Sequence, residues 1–112
     1  MKQLAKNAFF ETLQTEGFSQ VKGYRYMVAF EGQEVPIQLD KFNVSEVFKY
    51  INKTGYLYAD NAGLGTWLDT NTSIVYLDVS EGYHDLHKAL EVAKERNQLA
   101  IYDTLDNVSI YL

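Results

Sequence analysis

The chain has no cysteine, a single proline at position 36, and no lysine or arginine between Lys53 and Lys88. Each absence narrows what the protein can be. Without cysteine there are no disulfides and no thiolate metal sites, which accords with a cytoplasmic setting. Pro36 has no N–H to give to a ladder, so the strand that carries it belongs at a sheet edge. No apolar run approaches the ~18 residues of a membrane span. The N-terminal apolar positions are broken by Lys6, Asn7 and Glu11, unlike the continuous apolar centre of a secretory signal. The expectation is a soluble protein of the cytoplasm with no membrane contact.

The base-free stretch is otherwise rich. It holds five acids (Asp60, Asp69, Asp78, Glu81, Asp85) and five large aromatics (Tyr56, Tyr58, Trp67, Tyr76, Tyr83). Residues 1–59 carry a net charge of +1 and residues 60–112 one of −6. One sign of charge gathered on a surface selects what approaches it. The full 112 residues, 46% of them hydrophobic, suit one domain with its own core, spanning 1–112.

Hydrophobic periodicity sets the expected elements. Leu4, Ala5, Ala8, Phe9 and Leu13 form a helical stripe over 2–16, with Gly17 placed for a left-handed C-cap. Tyr24–Phe30 and Val35–Leu39 alternate around Glu31-Gly32-Gln33 and read as a β-hairpin. Asn43 and Glu46 make a capping box ahead of Val44, Val47, Phe48 and Ile51, and Gly55 ends that helix. Tyr56–Ala59 reads as a short strand and Asp60–Gly65 as a glycine-rich connection. Thr66–Leu68 and Ile74–Val79 pair across Asp69–Thr72. A helix over 83–97 and strands at Leu99–Asp103 and Val108–Leu112 close the chain. The order α-ββ-α-β-ββ-α-ββ predicts α+β architecture, a largely antiparallel sheet with three helices packed on it. Trp67, Tyr76 and Tyr83 lie on elements that must pack.

Most catalytic signatures are missing. Gly63-Leu64-Gly65 has neither the dinucleotide nor the P-loop fingerprint, and no serine sits in a G-x-S-x-G elbow. His84 and His87, at i, i+3, could point the same way, and Glu81 or Asp85 could add a carboxylate, the basis of a metal-dependent hydrolase reading; Asp85, however, lies between the histidines and off their common face. A solvated helix end explains the same residues. Nucleic-acid binding is disfavoured, because the ten bases are scattered and the net charge repels phosphate. No cofactor is implied, and catalytic residues are not indicated.

What remains is an interface. Tyrosine and tryptophan supply contact area at low rotamer cost, and flanking acids favour a basic partner. The candidate partner-binding residues are Tyr56, Tyr58, Asp60, Asn61, Leu64, Asp69 and Glu81. The partner expected is a protein with a basic surface, such as the nucleic-acid-binding face of another protein. A nucleotide or other small molecule held by the 60–65 loop is the alternative. An exposed edge at Val35–Leu39 or Val108–Leu112 could also pair with a second copy, giving a homodimer.

The run Gly65-Thr-Trp-Leu-Asp69, the strand Ile74-Val-Tyr-Leu-Asp-Val-Ser80 and the stretch Ala89–Asp103 resemble small uncharacterised proteins of bacteriophages and mobile elements. The likeness covers about residues 65–103. It implies a bacterial host cell and a non-enzymatic inhibitor of a host protein, for example of the anti-CRISPR or anti-restriction kind.

Overall fold

The computed structural model describes residues 2–112. It takes the chain through α1 (Lys2–Thr15), β1 (Gly17–Ser19), β2 (Tyr26–Ala29), β3 (Val35–Gln38), α2 (Val44–Thr54), β4 (Ala62–Asp69), β5 (Ile74–Tyr83), α3 (Leu86–Glu95), β6 (Ala100–Asp103) and β7 (Val108–Tyr111). Three helices and one seven-stranded sheet, antiparallel at every pairing, make the α+β domain that the periodicity predicts. No helix among the described residues is long and apolar enough to cross a membrane.

The helix ends follow side-chain chemistry. The Asn43 side chain accepts the Glu46 N–H at 2.9 Å and starts α2, and the Asp85 side chain accepts the Lys88 N–H at 3.2 Å to start α3. Asn97 ends α3 in the left-handed region at φ 55°. At the end of α1 the left-handed residue is Glu16 (φ 70°), one position before the glycine expected there. Gly17 instead opens β1, where an added Cβ would lie 3.2 Å from the Thr66 carbonyl oxygen. The buried side of α1 is Ala5, Ala8 and Thr12, while Leu13 is 46% exposed.

β5 is the centre of the sheet. β4 covers one of its edges in full, from Asp69 opposite Ile74 to Ala62 opposite Glu81. Its other edge is shared: β3 pairs with Ile74–Leu77 and β2 with Ser80–Tyr83. The hairpin expected from β2 and β3 is therefore not a hairpin. The two lie end to end as one strand line, and residues 30–34 leave the ladder opposite Asp78 and Val79. Alternation shows that two segments are strands, but not whether they face each other or follow each other along a third. Among the described residues β3 pairs only with β5, so Pro36 does sit on an edge. The segment expected as a strand at 56–59 is a 3-10 turn over Gly55–Leu57 with a single Ala59–Ala62 bridge. Most of the expected 60–65 connection is strand β4.

All three helices lie on one face of the sheet. Val75, Leu77 and Val79 of β5 are fully buried beneath α1 and α2, with Val47, Ile51, Ala5 and Ala8. Val28, paired with Glu81 and so in phase with Val79, packs with Ala89, Val92 and Ala93 of α3. Burying each such valine, leucine or isoleucine side chain contributes about 1.5–3 kcal/mol. Among the described residues, no helix packs on the opposite face.

Candidate functional site

Residues of the helix-free face follow from the register. Gly63, Gly65 and Trp67 of β4 stand opposite Ser80, Asp78 and Tyr76 of β5, and Met27 of β2 stands between Gly82 and Tyr102. β1 and β7 lie at opposite edges of the sheet, five strand spacings apart. In a flat sheet that separation would be about 24 Å. Ser19 of β1 and Ser109 of β7 nevertheless line the same trough, so the sheet curls toward this side. The trough encloses about 750 Å³ and is also lined by Glu11, Met27, Gly63, Gly65, Trp67, Asp78, Ser80 and Tyr102. That size lies within the roughly 300–1,000 Å³ of ligand sites.

Small residues form its floor, and they are small for a reason. A Cβ on Gly65 would sit 2.6 Å from the Asp78 Oδ1, and one on Gly63 would strike the Gln20 side chain. Gln20 bridges back to the strand, its Oε1 accepting the Leu64 N–H at 2.9 Å. Tyr24 lies over Gly82 and stacks on the His84 ring at 4.6 Å. Glycine within a strand marks a close approach from above, and here three glycines do so on one face.

Asp78 is the chemical centre. Its carboxyl is hemmed in by protein, although part of the residue still reaches the trough. Burial pushes its pKa up to about 7, and the Glu34 carboxylate on the 30–34 excursion pushes the same way. The Ser80 hydroxyl opposes this by donating a long hydrogen bond of 3.5 Å to Oδ1. Beside it stands an aromatic pair, Trp67 stacked on Tyr76 at 4.9 Å, with Trp67 49% exposed. Trp67 was expected to pack; its strand does pack, but through Thr66 and Leu68, the residues on either side.

The seven residues marked from the sequence are not brought together as one patch. Leu64 is only 1% exposed and belongs to the core, which corrects its assignment to a contact surface. Tyr58 packs against that core, where burial raises its phenol pKa and its hydroxyl meets Thr54 at 3.3 Å. Glu81 faces the helix side and is already engaged, accepting from Arg96 at 2.6 Å and from the Tyr83 hydroxyl. The Asn61 amide donates to the Gly82 carbonyl at 3.3 Å. Tyr56 and Asp60 are exposed on the connection after α2. Asp69 alone shares the helix-free face with Trp67, and its Oδ1 accepts the Asn71 N–H at 3.0 Å.

The residues that sequence reasoning missed are Asp78, Ser19, Ser80, Met27, Tyr102 and Ser109. For Asp78 a signal did exist: a lone acid in an alternating apolar strand, opposite a glycine across the turn. Ser80 lies on the same strand as Asp78, and the other four come from four more strands that only the curl of the sheet assembles. His84 stacks on Tyr24, and among the described residues no three His, Asp, Glu or Cys side chains converge as a metal-ligand set. A second hollow of about 540 Å³ lies between β3 and α2, flanked by Lys41, Lys49 and Lys53. No protein-family model, curated protein or solved structure matches the chain, so its function must be read from these surfaces.

Proposed function

We propose that the protein is a binding protein that covers a basic surface on another protein, with the helix-free face of its sheet as the contact surface. One observation carries this: the Trp67–Tyr76 stack is half-exposed beside a trough whose lining includes two carboxyls, Glu11 and Asp78, and no lysine, arginine or histidine. An aromatic anchor with acids around it is the composition of an energetic centre for a cationic partner. Asp69, on the same face, extends the negative field. The counter-defence setting implied by the resemblance to phage proteins is one concrete form of this activity: occlusion of the nucleic-acid-binding face of a host protein.

The test is capture from host lysate by the native chain and by a Trp67→Ala/Asp69→Lys variant, across a salt series. Native capture that weakens with salt and is lost in the variant supports the proposal. Capture indifferent to both salt and variant would sink it. The small-molecule reading is favoured by one observation, the size of the trough. Its acid-only charge repels phosphate, so within that reading a neutral or cationic ligand suits the site better than a nucleotide.

A further inference from the structure

We infer that the Asp78 carboxylate receives the guanidinium of an arginine side chain that the basic partner inserts into the trough. This rests on the binding reading above and names the chemistry of its central contact. Among the described residues, no ion pair includes Asp78, and its one hydrogen bond is the long one from Ser80. A carboxylate so enclosed and without a cation costs folding energy. The chain nonetheless keeps it, above a glycine that makes room for it, at the floor of an open trough.

The surroundings fit a planar cation. Guanidinium spreads its charge, stacks on aromatic faces and presents paired N–H groups to both oxygens of a carboxylate. Trp67 and Tyr102 supply aromatic surface in the lining, and the hydroxyls of Ser19, Ser80 and Ser109 can accept the remaining N–H groups. Lysine fits less well, because its ammonium is a strongly hydrated point charge that neither stacks nor grips both oxygens. The trough runs across an uncovered face, so a side chain can enter from a docked protein without any lid.

The groups that act electrostatically on Asp78 are Glu34 from the 30–34 excursion and the phenols of Tyr50 on α2 and Tyr58 after it; Glu11 and Tyr102 share its trough. None is a cation. An incoming guanidinium therefore meets an acid that is ionised above pH 7 and largely protonated below it.

The experiment titrates N-acetylarginine amide into the native protein at low salt. It follows the fluorescence of Trp67, the sole tryptophan and part of the lining. Saturable binding with a Kd on the order of millimolar is expected for one anchored side chain. It should weaken about tenfold between pH 8 and pH 6, as ionised Asp78 becomes the minor form. N-acetylcitrulline amide, the neutral shape match, and the Asp78→Asn variant should each lose at least tenfold, and the variant's thermal melt verifies its fold. Gly65→Ala, which displaces the carboxyl, should also weaken binding.

No saturation by the native protein overturns the inference, as does citrulline amide or Asp78→Asn matching the native result. Agmatine, a guanidinium without a peptide backbone, distinguishes the source: binding a hundredfold tighter than the arginine amide would assign the trough to a small molecule. In the lysate assay, capture kept by Asp78→Asn but lost by Trp67→Ala/Asp69→Lys removes this inference and leaves the proposed function standing. Capture kept by both variants removes the proposed function, while the arginine titration is still judged by its own result.

Discussion

The two sides of β5 are built from alternate residues of one ten-residue strand, and they do opposite work. Val75, Leu77 and Val79 point under the helices and have no solvent exposure. Tyr76, Asp78 and Ser80 point away from every helix, onto a face floored by glycine and serine. The first set is what an antiparallel strand needs in order to bury one face. The second departs from it, with an unpaired acid opposite a glycine. Departures of this kind cost stability and persist where they serve a site. The buried surface of this protein and the surface proposed for binding differ by one residue of register.

Mutations that treat the two sides alike would break the comparison. Leu77→Ala, on the covered side, should cost about 2–5 kcal/mol in urea denaturation, whereas Tyr76→Ala beside it should cost under about 1.5 kcal/mol. Similar losses at both positions would show that the free face is also a structural core.

The next effect is electrostatic. Asp78 has a pKa of about 7 in the folded protein, above the ordinary 3.8. The native state therefore binds more protons than the unfolded chain between about pH 4 and pH 7, so stability falls as pH rises through that window. Asp78→Asn should flatten this part of a melting curve against pH and leave the protein more stable at pH 8, by a few kcal/mol at most. An unchanged pH profile would mean that the carboxyl is ordinary.

A smaller effect is expected at the aromatic stack. Trp67→Ala should cost about 0.5–1.5 kcal/mol of stability, a loss of several degrees at most in a melt, while removing partner capture. The smallest effect sharpens the contrast with the hollow beneath β3. Reversing Lys41, Lys49 and Lys53 together to glutamate should change stability by only about 0.5 kcal/mol per site and leave capture of a basic partner intact or stronger. Lost capture would place the partner on the lysine side.

Local chemistry was legible wherever it is self-contained. Asn43 with Glu46, the turn at Asp69–Thr72 and the edge position of Pro36 each depend on a few neighbouring residues, and the chain displays them directly. The true pairing of the strands at 24–39 was not legible, because their partners on β5 lie between 36 and 57 residues away. Nor was the site. Leu64 reads as part of a loop until β4 is seen to turn it inward, and Glu81 reads as free charge until Arg96 arrives from the end of α3.

The sequence by itself determined the α+β class, the three helices with two of their caps, and the concentration of acid and aromatic residues in the second half. These follow from periodicity, propensity and counting, which act over a few residues at a time. Only the tertiary structure decided which face the helices cover, that β2 and β3 share one edge of β5, and that Asp78 rather than the neighbouring acids stands in the trough. Those outcomes depend on strand pairing and sheet curl, which join residues from six strands and appear in no local pattern. Alternation along β5 and β4 divides the base-free stretch between a core and a candidate binding face.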